Sequence, residues 1–305
     1  MKMKKIIKGV AIAAFVLLLA FAVGYVSVHF WYYPHYRDSQ EAYSPANVSK
    51  DGEIRVMTSN IRYFNLNDIG KRSWFYRANL LIDGIEKEYP DIIGFQEVTT
   101  WQYEYLDEVF EGYTSVITYR DEATNTEGCP VFFREDRFDL VNKGSFWLSE
   151  TPEVMSRDWD AGCYRICSYV VLIDKTTGKE FAVFNTHLDH MSDLARINGI
   201  NVVLDKIKEM GSLPSVLMGD FNASEDSETY RMATESFYDA KYLTPNPDSG
   251  CTFQDFGRVL DWGCIDYVMV SKEGIGVNSV ETLRDTYDGV YSSDHFPITA
   301  SIYLK

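Results

Sequence analysis

Residues 214–222 read PSVLMGDFN, and this stretch decides the fold. Val216, Leu217 and Met218 form an apolar run too short for a helix, without the alternation of a half-exposed strand, and it stops at Gly219-Asp220-Phe221-Asn222. A short continuous apolar run closed by turn residues reads as a strand buried on both faces, as in α/β proteins. Upstream, residues 192–210 carry the pattern of a long helix. The same alternation of short β-rich runs and helical stretches recurs outward in both directions. Strands are expected at 54–59, 91–96, 130–133, 137–141, 165–173, 181–185, 265–270 and 297–303, and helices at 73–89 and 100–110. The first of these helices turns Leu81, Ile82 and Ile85 to one face and stops at Pro90. No internal repeat interrupts the series, so the body is an α/β domain.

Many of these runs end against one small polar group. Asn60 follows RVMTS, Glu97 follows IIGFQ, His187 follows FAVFNT, Asp220 and Asn222 flank Phe221, Asp266 follows GCI, and Asp294-His295 precede FPITASI. Buried strands that deliver polar residues at their ends converge them on one cleft. Each residue alone has a plainer reading: Asp220-Phe221-Asn222 as a turn bonding its own backbone, Glu97 favouring a helix N-terminus, His187 and His295 as satisfied core histidines. Their joint recurrence favours a site.

The 305-residue chain has a net charge of −16, which conceals a split. Residues 1–50 carry +4, with Lys2, Lys4, Lys5 and Lys8 at the start, and the remaining body carries −20. With 46% hydrophobic and 15% aromatic residues, most of the chain can bury a core and is not disordered. Its acidity argues against a broad basic face for nucleic acid, so no stable nucleic-acid complex is expected, and a monomer is. The five cysteines are too few and too scattered for a disulfide framework and lack zinc spacing, so they read as small buried hydrophobes.

Residues 9–28 run GVAIAAFVLLLAFAVGYVSV without a charge, long enough to span a bilayer. Lysines precede the run, and Phe30, Trp31, Tyr32 and Tyr33 follow it as an interfacial belt would. The resulting organisation is a cytoplasmic basic tail at 1–8, a single-pass anchor at 9–30, a linker at 31–52 and a catalytic domain at 53–305 outside the cytoplasm. A cleaved signal peptide ending near Ala20-Phe21-Ala22 is the competing reading.

Glu97, Asp220 and Asp294 with Asn60 and Asn222 are hard oxygen donors without thiolates, which suits Mg²⁺, with Mn²⁺ or Ca²⁺ as alternatives. Such a site implies phosphoryl chemistry. In order, VMTSNIRYF, IIGFQEV, FNTHLDH, LMGDFNA, CIDYVMV and SSDHFP resemble the endonuclease/exonuclease/phosphatase superfamily, over the whole body from about Ile54. That family includes pancreatic-type deoxyribonuclease, repair exonucleases, neutral sphingomyelinases and inositol polyphosphate phosphatases. The resemblance implies a four-layer α/β/β/α sandwich of two mixed sheets with the site at one edge.

By the same resemblance, Glu97 is the principal metal ligand, with Asn60 beside it and Asp294 as a further ligand. Asp220 activates or orients water, and Asn222 donates to the phosphate. Asp266 holds His295 as a dyad, and His187 assists at the phosphate or leaving group. Arg165 is placed as a phosphate contact, with a structural salt bridge as its equal rival. Asp189 and His190 are expected only as support, and Arg196 belongs to the same extended THLDHMSDLAR motif without a defined role. The expected activity is hydrolysis of a phosphate mono- or diester, with a phospholipid or small phosphate ester as substrate. The alternatives are an extracellular nuclease and, from another class, an inactive metal-binding or interaction module on the same fold.

Overall fold

The computed structural model describes residues 2–31, 49, 52–211, 213–248, 250–259 and 262–305. The first element is a helix, α1 (Lys2–Trp31), of which Met3–Ser27 is long and apolar enough to cross a membrane by length and composition. A signal sequence passes the same test. The side chains of the expected aromatic belt and most of the 31–52 linker lie outside the described residues.

The body follows in the order β1 (Ile54–Asn60), α2 (Trp74–Glu88), β2 (Ile92–Gln96), β3 (Val98–Thr99), α3 (Thr100–Val109), β4 (Tyr113–Val116), β5 (Glu127–Gly128) and β6 (Val131–Arg134). It continues through β7 (Phe138–Trp147), β8 (Ile166–Asp174), β9 (Glu180–His187), α4 (Asp193–Glu209), β10 (Ser215–Asp220), α5 (Glu228–Ser236), β11 (Phe237–Asp239), β12 (Asp266–Ser271), β13 (Ile275–Thr282) and β14 (Ile298–Leu304). One six-stranded sheet runs β13-β14-β1-β2-β6-β4 and the other β11-β12-β10-β9-β8-β7. Each is mixed, since β1 pairs with β2 and β9 with β10 in parallel while their other neighbours are antiparallel.

The unbroken apolar runs have a direct cause. In β10, Val216 and Met218 point into the core between the sheets, while Leu217 points into a second core under the helices. In β1, Val56 faces the inter-sheet core and Met57 the helix side, where Leu81, Ile82 and Ile85 of α2 meet it. Ile200 and Val203 of α4 and Ala233 of α5 cover the other sheet. Both faces of each central strand are therefore dry, each large side chain contributing about 1.5–3 kcal/mol of burial, and the result is the four-layer α/β/β/α sandwich.

Strands β3, β4, β5, β11 and β13 and helix α5 have no counterpart in the sequence reading, and β7 runs past the expected 137–141. For the two long edge strands the physical reason is shared. β7 and β13 lie at sheet edges, their middles are exposed, and each carries a bulge, so pairing with β8 and β14 rather than an apolar pattern holds them.

One buried polar bridge ties the sheets together beneath the site. Asn185 on β9 donates to the carbonyls of Phe95 (2.8 Å) and Pro130 (2.9 Å) and accepts from Gln96 Nε2 at 2.6 Å. Gly94 makes room for it, because a Cβ there would lie 2.8 Å from the Asn185 side chain.

Candidate active site

Strand register builds the site. Asp220 at the end of β10 is paired with His187 at the end of β9 on one side and with Asp266 at the start of β12 on the other, a row across three strands. On the other sheet, Asn60 and Gln96 end β1 and β2 in register, and Glu97 follows directly. The loop before β14 brings Ser293, Asp294 and His295 to the same place, where Ser293 Oγ donates to the Asn60 carbonyl at 2.7 Å. Gly219 must be glycine: its φ is +144°, and a Cβ would sit 1.9 Å from the Thr186 carbonyl oxygen.

The side chains form one connected array. His295 Nδ1 lies 2.9 Å from Asp266 Oδ2, and Nε2 points toward Asp220 Oδ2 at 3.8 Å. His187 Nε2 approaches the same Asp220 oxygen at 3.5 Å. The Asn60 amide nitrogen bridges Asp220 Oδ2 (3.0 Å) and Glu97 Oε1 (3.1 Å), and its Oδ1, accepting from Arg62 N, keeps a second lone pair. Glu97 Oε2 accepts from Tyr63 N at 2.9 Å. Asp220 Oδ1 accepts from Asn222 N at 2.8 Å, so the local-turn reading of Asp220-Phe221-Asn222 holds alongside the site reading. Asn222 spends one amide hydrogen on the Leu188 carbonyl and has the other left to give.

A cleft of about 490 Å³ opens over this array, lined among others by Glu97, Asp220, Asn222, Asp294 and His295. Arg165 and His187 line it too, whereas Asn60 and Asp266 lie fully buried behind. Asp189 is a latch: its carboxylate accepts from the backbone of Cys163, Met191 and Ser192, and Arg196 donates to its carbonyl at 2.7 Å. His190, expected only in support, lines the cleft. All five cysteines are free, and all but the half-buried Cys163 are buried.

The electrostatics divide the titratable groups. Burial and the Asp266 carboxylate push the Asp220 pKa up to about 7. Burial opposes the charged His295 ring, but Asp266 and Asp220 outweigh it and hold the pKa well above the ordinary value. Burial and the Arg165 charge hold His187 well below, hence neutral. Glu97 is likewise opposed by burial, yet the Tyr63 N–H and the His295 charge lower its pKa. Asp294 is raised by burial, and the Glu97 charge adds to the rise although His295 opposes it.

Two carboxylates of like charge, half-buried Glu97 and buried Asp294, thus share one cleft without a thiolate beside them, and Arg62, 3.7 Å from Asp294, offsets only part of their charge. That set fits a hard divalent cation, whose charge would relieve their repulsion. Asp220, Asp266 and His295 also bring ligand atoms within 4.8 Å of one another. Asp266 Oδ2 is already committed to His295 Nδ1, which makes this trio a proton-handling unit rather than a cage.

Sequence reasoning missed three cleft supports. Arg77 is buried, donates to the carbonyls of Ile61 (2.5 Å), Arg62 (2.8 Å) and Ser292 (3.1 Å), and pins the β1 exit to the SSDH loop. Burial lowers its pKa to about 10. Arg120 grips Glu127 at 2.6 and 2.7 Å, and both line the cleft. Burial and Glu97 push Glu127 to about 7. The short β3–β5 pairing, Thr99 against Glu127, and the backbone bond from Arg120 N to the Glu127 carbonyl bring them there, and no sequence pattern announces a two-residue strand.

Residues 57–295 match the model of the Endonuclease/Exonuclease/phosphatase family. The chain belongs to this family. Members of the endonuclease/exonuclease/phosphatase family hydrolyse phosphoester bonds and generally depend on a divalent metal. A family structure from Bacteroides vulgatus is similar at 33% identity, covering 83% of this chain and 99% of that one, with a TM-score of 0.77. A mannosyl-6-phosphatase from Bacteroides thetaiotaomicron VPI-5482 is similar at 31% identity over 82% of this chain and all of that one, with a TM-score of 0.74. Nocturnin from Rattus norvegicus is 24% identical over 288 residues, 80% of this chain. The chain spans 30%, 64% and 68% of the lengths of three curated relatives that it matches.

Proposed function

We propose that this chain is a divalent-cation-dependent phosphoesterase that cleaves a P–O bond of a small phosphate ester by in-line attack of water. The observation that carries it is the join of two units in one cleft: the Glu97 and Asp294 carboxylates, and the His187–Asp220–Asp266 row with His295. Glu97 and Asp294, with the Asn60 amide oxygen, would hold the cation, which would supply electrostatic stabilisation of charge on the phosphoryl oxygens. Asp220, near neutrality in pKa, orients and deprotonates the attacking water. His295, held by Asp266 through Nδ1, presents Nε2–H to the reacting centre, and His187 and Asn222 donate to the phosphate or the departing oxygen. Arg165 contacts the phosphate.

The strong acidity of the body favours a compact substrate over a polynucleotide held along a groove, and supports a monomer that forms no stable nucleic-acid complex. The apolar stretch in α1, preceded by lysines, supports a single-pass anchor with the catalytic domain at 53–305 outside the cytoplasm, in reach of phospholipid or envelope phosphate esters. The test is hydrolysis of a panel of phosphate mono- and diesters with Mg²⁺, Mn²⁺ or Ca²⁺ and with EDTA, beside His295→Ala and Asp220→Ala. Turnover that needs the cation and both side chains is the expected result. A wild type as inert as the variants makes the fold an interaction module instead.

A further inference from the structure

Beyond the reacting centre, an aromatic track leads outward along the cleft. Phe253 packs edge-on against the His295 ring with centroids 5.0 Å apart, and Trp262 packs on Phe253 at 5.1 Å. Trp262 lines the cleft yet is 65% exposed. A large indole left in water beside a charged cleft is an unused stacking surface.

A second observation concerns His190, whose Nδ1 lies 3.0 Å from Arg165 Nη2. A guanidinium only donates, so Nδ1 is the acceptor and the imidazole carries its proton on Nε2. Arg165 is in turn steadied by Asp189 at 3.8 Å, and Asp189 by three backbone N–H groups. Burial and Arg165 lower the His190 pKa, which keeps the ring neutral. The fixed tautomer therefore offers a neutral Nε2–H donor on a side chain that lines the cleft.

We propose that the outer part of the cleft binds a sugar ring as the leaving group, with Trp262 stacking on its C–H face and His190 Nε2–H donating to a ring hydroxyl. This rests on the phosphoesterase reading above and gives its substrate class, a sugar monophosphate. A pyranose has the two properties the cleft asks for, an apolar face and a polar edge. The Arg120–Glu127 pair lines the same cleft and meets that edge with charged hydrogen-bonding groups. A sugar phosphate also concentrates its negative charge at the reacting phosphate, away from the acidic body. Hydrolysis is balanced by water alone: water adds to phosphorus, the P–O bond to the sugar breaks, and the sugar oxygen takes a proton.

The experiment measures kcat/KM of the full chain in detergent, with Mg²⁺, on hexose 6-phosphates, glycerol phosphate and a nucleoside 5′-monophosphate. The variants are Trp262→Ala, Trp262→Phe, His190→Ala and His190→Gln. The expected result is a hexose-to-glycerol preference that falls about tenfold in Trp262→Ala and is largely kept in Trp262→Phe. It falls roughly fivefold in His190→Ala and is kept in His190→Gln, which retains an N–H donor. An unchanged preference in both alanine variants overturns the inference, as does a Trp262 dependence confined to the nucleoside phosphate. A wild type that turns over glycerol phosphate but no hexose phosphate overturns it while the hydrolase reading stands, and a wild type inert on every ester overturns both.

Discussion

Strand β2 is flanked by a carboxylate at each end, buried Asp91 and half-buried Glu97, and the two are treated in opposite ways. At its start, Asp91 is saturated. Its Oδ1 accepts from Arg134 at 3.0 Å, and its Oδ2 from Arg137 at 3.0 Å, Arg55 N at 2.8 Å and Ser49 Oγ at 2.6 Å. At its finish, Glu97 shares a cleft with Asp220 and Asp294, where the one arginine beside them, Arg62, stands 3.7 Å from Asp294 and gives its hydrogen bond to Asp68 instead. A buried acid that is fully paired holds strands together. Acids that outnumber the cations around them store unfavourable electrostatics that a bound divalent cation would relieve, which is how functional sites depart from the stability optimum.

Four experiments break or sharpen that contrast. The largest effect is expected from His295→Ala and Asp220→Ala, each lowering kcat/KM by about 10²–10⁴-fold while cooperative thermal unfolding is retained. Activity within tenfold of wild type removes the distinction between the two ends. Asp91→Ala is the converse. It takes a partner from buried Arg137 and from half-buried Arg134, which keep Asp174 and Asp136, and lowers stability by about 2–4 kcal/mol in a denaturant titration, with kcat of the folded fraction little changed.

Asp220→Asn sharpens the contrast through pH. The native carboxyl titrates at about 7 against an ordinary 3.8, so the folded state holds a proton that the unfolded chain loses, and metal-free stability declines as pH climbs from about 4 to about 7. The amide escapes this loss, and a melting curve at pH 8 without cation should show a gain of roughly 1–3 kcal/mol that vanishes at pH 4. A loss at pH 8 puts Asp220 with Asp91 among structural acids. Smallest is the cation affinity itself: calorimetric titration with Mg²⁺ should weaken as pH falls, by at most about tenfold per unit, as protons compete at the ligand carboxylates, above all Asp294, whose pKa burial raises. A pH-independent affinity places the cation away from them.

The central strands and long helices were legible from residues alone because both faces of β1, β2, β9 and β10 are dry, and only apolar side chains survive there. The observed bounds of α2 and α4 fall within a residue of the expected ones for the same reason, each laying one apolar stripe on a sheet. The edge strands β7 and β13 and the two-residue β3 and β5 were not legible, since pairing partners distant in sequence hold them. The site shows the same divide. Glu97, His187, Asp220, Asp266, Asp294 and His295 each announce themselves as polar residues where an apolar run begins or ends. Arg77, Arg120, Glu127, Phe253 and Trp262 do not, because nothing local distinguishes them from surface or core residues.

What the sequence by itself determined was the α/β class, the family and the identity of the polar cluster, all properties of hydrophobic patterning and residue chemistry along a strand. What only the tertiary structure decided was the pairing: Asp220 between His187 and Asp266, Asp266 behind His295, Asn60 bridging Glu97 and Asp220, and Trp262 at the outer end of the track from His295. These depend on strand register and on the packing of one sheet against another, and contacts between groups 29 to 160 positions apart leave no local trace in the chain that makes them.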